Sequence, residues 1–269
     1  MLRKVMKYEF LASGRQFLPA YIAVMGLGIL NALLMWAGND AAGNVYSALY
    51  RPTGSWAFAA GGLLMVFYYL IVFATAVLTV ILIIRRFYMS LFKDEGYLTN
   101  TLPVSTDKLL LGKLLTAICW SIISTIVVTI SFIIAMSVFF TSPWFELRDL
   151  FFFFDWGWVD FLGLLSSLVS LITTILAFYS ALSIGQLAKR RKILLAIGAF
   201  FGMSFAFTFI NTILALNIGF FNIGNFFFGT SHHSNPTSAV VLSIGIALAQ
   251  GAIHYVIARH ILKNKLNLE

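Results

Sequence analysis

Apolar residues in this chain fall into six long runs, near residues 17–37, 57–84, 114–141, 161–187, 193–217 and 238–258, and the charged residues lie between them. Each run reaches the roughly 20 residues that a helix needs to cross about 30 Å of hydrocarbon. Barrel strands would instead show segments of about 10 residues with every second position polar. The runs are continuously apolar, and a helix satisfies every backbone group internally when lipid offers no partner. The pattern predicts an all-α integral membrane protein with six transmembrane helices, a single transmembrane domain over residues 1–269. A composition of 60% hydrophobic and 10% charged residues, with a mean hydropathy of +0.92, also lies outside soluble globular usage.

The polar positions then orient the chain. All but Arg51 and Arg148 of the 18 Lys and Arg residues lie before the first run, between the second and third, between the fourth and fifth, or after the sixth. Because basic residues concentrate in cytoplasmic loops, the expectation is a multi-pass cell (plasma) membrane protein with both termini cytoplasmic. The net charge of +8 is read as topology and contact with membrane lipid headgroups, and nucleic acid is not expected as a partner. Over residues 1–16, Leu2, Val5, Met6 and Phe10 fall near one helical face, with Arg3, Lys4 and Lys7 mostly on others. That is the pattern of an interfacial helix lying in the headgroup plane. Its apolar continuation is longer than a signal-peptide core and shows no small-x-small cleavage site, so it is expected to be retained. Cys119 is the only cysteine and allows no intramolecular disulfide.

The longest polar interruption, residues 85–113, opens with Arg85 and Arg86, continues helically through Phe87 to Phe92, and breaks at Gly96 and again at Pro103. Helix-capping residues Ser105, Thr106 and Asp107 then precede a new apolar run. Between the breaks, Lys93, Asp94, Glu95, Gly96, Tyr97, Leu98 and Thr99 combine charges, one aromatic ring and one flexible joint. That composition suits docking into another protein better than lying against lipid. The stretch Lys93 to Thr99, followed by Thr101-Leu102-Pro103-Val104-Ser105, a Leu-rich run and Lys113, resembles the loop between the second and third spans of ABC-2 type transporter permeases. The resemblance implies a cytoplasmic coupling helix in the loop 85–113, with residues 93–99 as the ATPase-coupling residues, and an N-terminal interfacial helix. It also implies a partner ABC ATPase that binds ATP and Mg, and a second permease subunit in a homo- or heterodimer. Consistent with ATP being handled elsewhere, Gly112-Lys113-Leu114 lacks the upstream glycine and the following Ser or Thr of a P-loop.

Inside the runs, polar residues are sparse. Ser121, Thr125 and Thr129 recur every fourth residue in the third span, and Ser166, Ser170 and Thr174 do so in the fourth. With Asn211 in the fifth, these are candidates for a substrate path or for a packing seam between helices. Gly198, Gly202 and Ala206, and Gly245 with Ala249, are small-xxx-small patterns suited to close helix packing. The loop at residues 142–160 groups Trp144, Trp156 and Trp158 with Phe151 to Phe154 and reads as an aromatic belt at the outer interface. The outer loop 219–238 carries His232-His233, too few convergent ligands for a metal site. Catalytic, cofactor and metal sites are not expected in this chain.

Two other classes were weighed. Ser204, in Gly202-Met203-Ser204-Phe205, with His254 is similar in residue type to the Ser-His dyad of rhomboid intramembrane proteases. Counting along the spans places Ser204 roughly 16 Å and His254 roughly 7 Å from the same membrane face, whereas nucleophile and base need about 3 Å. A non-transporting bacteriocin-immunity membrane protein would need neither a docking loop nor an ATPase. The expectation is therefore the membrane-spanning subunit of an ABC-2 exporter. With no Asp, Glu, Lys or Arg within the six runs, a hydrophobic or amphipathic cargo is favoured over a strongly ionic one. Small permeases that this chain resembles include exporters of amphipathic peptides such as toxins and bacteriocins, so a short amphipathic peptide is preferred.

Overall fold

The computed structural model describes residues 2–42, 52–92, 106–140, 157–227 and 236–264. Within them the chain forms six helices and no strand: α1 (Leu2–Ala42), α2 (Pro52–Phe92), α3 (Thr106–Phe140), α4 (Trp158–Gly185), α5 (Lys192–Phe227) and α6 (Pro236–Asn264). Each contains a segment long and apolar enough to cross a membrane: Ser13–Trp36, Ala60–Phe92, Thr106–Met136, Trp158–Gly185, Lys192–Leu214 and Val240–Asn264. The chain is thus an all-helical, multi-pass membrane protein.

The helices outrun the apolar runs. At 1.5 Å per residue, the 41 residues of α1 and of α2 extend about 60 Å, twice the hydrocarbon thickness. An apolar run ends at the first charge because the hydrocarbon does, whereas a helix ends only where its backbone is interrupted. Residues 85–92, expected to continue the second span as helix to Phe92, and 106–113, expected to open a new helix at Ser105 to Asp107, are the last turns of α2 and the first turns of α3. Residues 219–227, expected in an outer loop, continue α5. Residues 2–16, expected as a separate interfacial helix, run without a break into the first span, through Pro19.

The helices group into two compact units. The first comprises Met1–Ile83 and Leu115–Asp155, so it takes in α1, most of α2 and the later part of α3. Its core is Val24, Met35, Met65, Tyr68 and Ala135, with Leu27, Ile71, Val72, Val128 and Met136 packed around it. Trp120 lies between Phe10 and Phe17, with ring centroids 4.4 and 4.5 Å away. Gly14, one turn from each phenylalanine, lies against the same indole, where a Cβ would make ordinary van der Waals contact at 3.5 Å.

The second unit comprises Ile84–Leu114 and Trp156–Glu269, which is the end of α2, the start of α3 and all of α4, α5 and α6. α4 is central and packs on both α6 and α5. It starts at Gly157, whose N–H donates to Asp160 Oδ2 at 3.0 Å. An acid at this point also faces the positive end of the helix dipole. α4 turns directly into α5 at Gly185, where a Cβ would lie 2.6 Å from the Ala196 Cβ and 2.7 Å from the Lys192 carbonyl oxygen. Only glycine lets the two backbones approach so closely.

Candidate functional site

The polar side chains of the second unit are concentrated on the inner face of α4. Ser166 Oγ lies 3.4 Å from Ser243 Oγ. Thr173 Oγ1 donates to the Ala247 carbonyl at 2.9 Å and sits against Gly251, where a Cβ would approach it to 3.1 Å. Ser180 Oγ lies 2.9 Å from His254 Nδ1. The partners on both helices advance along the chain together, so α4 and α6 run parallel. A seven-residue interval on α4 keeps 166, 173 and 180 facing α6. Beside this seam, Gln250 Nε2 donates to Asn211 Oδ1 at 2.9 Å, and Phe207 of α5 meets the His254 ring edge-on at 5.0 Å.

Ser180 and His254 have the separation of a nucleophile and its base, yet they lack what acyl transfer requires. Both are buried, at 0% and 3% exposure. Ser180 lies in the interior of α4, where backbone N–H groups are committed to carbonyls one turn back and are not free to hold an oxyanion. The Ser180 hydroxyl also lies 3.0 Å from the Ala177 carbonyl. The pair joins two helices. His254 is bonded to Ser180 rather than to Ser204, the partner weighed from sequence.

Near the last turns of α4 a second group of contacts holds the ends of α2 and α3. Tyr179, six residues and so about 9 Å from the end of α4, stacks on Phe87 of α2 with centroids 3.8 Å apart. Its hydroxyl donates to the Lys113 carbonyl of α3 at 3.3 Å. Lys113 is 5% exposed, and its ammonium donates to Ser90 Oγ, which in turn donates to the Arg86 carbonyl at 2.7 Å. A cation near the C-terminal turn of α2 meets the negative end of that helix dipole. In the first turn of α3, Arg259 of α6 grips Asp107 with both arms, Nε to Oδ1 at 2.6 Å and Nη2 to Oδ2 at 2.9 Å. Tyr255 adds a hydroxyl donor to Oδ1 at 3.1 Å. Seven side chains thus tie residues 84–92 and 106–114 to each other and to α4 and α6.

The residues singled out from sequence are distributed as follows. Lys93, Asp94, Glu95, Gly96, Tyr97, Leu98 and Thr99 lie outside the described residues, as do His232 and His233. Ser166 is in the α4–α6 seam and Asn211 is bonded to Gln250, but Ser170 and Thr174 are exposed, and Thr174 bonds only its own helix at the Ser170 carbonyl, 2.8 Å away. In α3, Thr125 likewise donates to the Ser121 carbonyl at 3.0 Å and Thr129 is exposed. The buried polar residues of α3 in the first unit are instead Thr116, Ser124 and Ser131. Ser124 Oγ lies 2.6 Å from the Tyr21 hydroxyl and 3.3 Å from Thr79 Oγ1, and Ser131 donates to the Val24 carbonyl at 2.9 Å. A Cβ at Gly198, Gly202 or Gly245 would meet no atom of the described residues within 4 Å.

Sequence reading missed Lys113, Asp107, Arg259 and Tyr255 because each sits at the edge of an apolar run, where a charge or hydroxyl reads as a headgroup contact. Among the described residues no group of three or more His, Cys, Asp and Glu side chains converges as a metal site would require. No protein-family model, curated protein or solved structure matches this chain.

Proposed function

We propose that this chain is the membrane-spanning permease subunit of an ATP-driven ABC-2 exporter. In this reading both termini are cytoplasmic in the cell membrane, a separate ABC ATPase binds ATP and Mg, and a second permease subunit completes the path. The cargo is hydrophobic or amphipathic, with a short amphipathic peptide preferred. The observation that carries the reading is the attachment of both helix ends flanking residues 93–105. Phe87 and Ser90 before that segment, and Asp107 and Lys113 after it, are tied to Tyr179, Tyr255 and Arg259 or to each other. A load applied at residues 93–99 by a docked ATPase would pass through these contacts into α4 and α6, as a coupling segment must do. The absence of a P-loop in the sequence fits an energy source in another subunit.

The first test is copurification of the chain with a P-loop ATPase from its native membrane. The double variant Glu95→Lys/Tyr97→Ala is expected to remain folded but lose stimulation of that ATPase by amphipathic peptides. Asp107→Asn and Arg259→Gln are each expected to lower the stimulation severalfold. Their combination should do no worse than the worse single, because both remove the same contact. A chain that purifies without an ATPase, or a Glu95→Lys/Tyr97→Ala variant with wild-type stimulation, would overturn the proposal.

A further inference from the structure

The turn between α4 and α5 carries Lys189, Arg190, Arg191 and Lys192 in succession, all exposed. It is short and tightly held. Leu187 N–H bonds the Ile184 carbonyl at 3.0 Å, Ala188 N–H bonds the Gly185 carbonyl at 3.3 Å, and Leu195 N–H bonds the Arg191 carbonyl at 3.0 Å. Gly185 brings the two helices together at the turn, and a Phe178–Phe200 stack at 4.7 Å joins them two turns deeper. The backbone that carries the four cations is therefore held on both sides.

Nothing described in this unit neutralises them. Asp107 is taken by Arg259 and Tyr255, and Asp160 stands at the opposite end of α4, 25 residues and so roughly 38 Å from Gly185. The first turn of α5 has no acid, so its free N–H groups and positive dipole end add to the same field. Among the described residues of this unit no acid is left for the four cations, so they are open to an anion from the surroundings. Apolar spans end at Gly185 and begin again at Lys192, which sets the turn at the depth of the lipid phosphates. Leu187, Ile193 and Leu194 flank the cations and are 47%, 65% and 64% exposed, so apolar surface adjoins the charge as an amphiphile would require.

We propose that the α4–α5 turn is a binding site for an anionic phospholipid. Arg190 and Arg191 hold the phosphate through their forked guanidinium donors, Lys189 and Lys192 supply further charge, and an acyl chain lies along Ile193 and Leu194. The site stands on its own charges and does not depend on the exporter reading.

The probe is spin-labelled phosphatidylglycerol, added to the delipidated full chain in phosphatidylcholine nanodiscs, with the immobilised fraction read by electron spin resonance. Arg190→Gln/Arg191→Gln is expected to lower the preference for phosphatidylglycerol over phosphatidylcholine about thirtyfold. Arg85→Gln/Lys108→Gln removes equal charge from the same end of the unit but leaves the forked donors of the turn, and is expected to change the preference less than about threefold. Arg190→Lys/Arg191→Lys preserves the charge needed for insertion and should lose part of the preference with the guanidinium fork. Soluble glycerol phosphate should not compete. Equal losses in the two Gln variants would show diffuse attraction and overturn the site. So would full competition by glycerol phosphate, or wild-type preference in both the Gln and the Lys variants at positions 190 and 191.

Discussion

Glycine substitutions separate two roles that look alike in the sequence. Gly185 and Gly198 both lie in apolar helical stretches, but a Cβ at 185 would overlap the Ala196 Cβ and the Lys192 carbonyl, while one at 198 would meet no atom within 4 Å. Gly185→Ala must therefore force α4 and α5 apart, at a cost of about 1–3 kcal/mol. Gly198→Ala should be neutral or stabilise by up to about 1 kcal/mol, since alanine gives up less backbone freedom in a helix. Reversible unfolding in mixed micelles is the measurement. Comparable effects of the two substitutions would contradict the close approach at 185. Lys113 makes a related point: its ammonium is held by Ser90 inside the second unit, although its sequence position beside an apolar run suits a headgroup contact equally well.

At the scale of elements, polar seams follow the packing of helix pairs. In α4 the polar residues bonded to α6 are Ser166, Thr173 and Ser180, and in α3 those bonded to α1 are Ser124, at Tyr21, and Ser131, at the Val24 carbonyl. Both sets recur every seven residues. Seven residues turn the helix through 700°, 20° short of two full turns, whereas four residues overshoot one turn by 40°. A row at every fourth position therefore leaves the interface within two steps, and that is the fate of Ser170 and Thr174. Thr173→Leu should strain the α4–α6 contact at Gly251 and destabilise by about 1–3 kcal/mol. Thr174→Leu, on an exposed face, should stay within about 0.5 kcal/mol. Equal destabilisation by the two, read as midpoints of unfolding, would count against the seven-residue seam.

For the molecule as a whole, the second unit draws the basic helix ends together. Its contacts join the end of α2, the start of α3 and the ends of α4 and α6. Arg85, Arg86, Lys108, the 189–192 turn, Arg259 and Lys263 thereby share one end of that unit. Such a one-sided distribution is expected on the cytoplasmic face. In a Cys119→Ala background, single cysteines placed at Ser142 and Ser234 should react with an impermeant maleimide from outside intact cells, and one at Ser105 should not. The opposite labelling would reverse the orientation and remove the cytoplasmic placement of residues 93–99.

Six spans, their helical nature and the one-sidedness of their charge were legible in the sequence, because lipid imposes length, apolarity and internal backbone bonding on each span separately. These are properties of a single helix. Where the helices end was less legible, since apolar runs stop at the hydrocarbon boundary while the backbone of α5 continues to Phe227. Only the tertiary structure decided which polar residues face a partner. It selected Thr173 over Thr174 and Ser124 over Thr125, and it brought Asp107 to Arg259 across 152 residues of chain. Side-chain polarity fixes that such groups need a partner in a bilayer, but the face on which they find one depends on how neighbouring helices cross and pack.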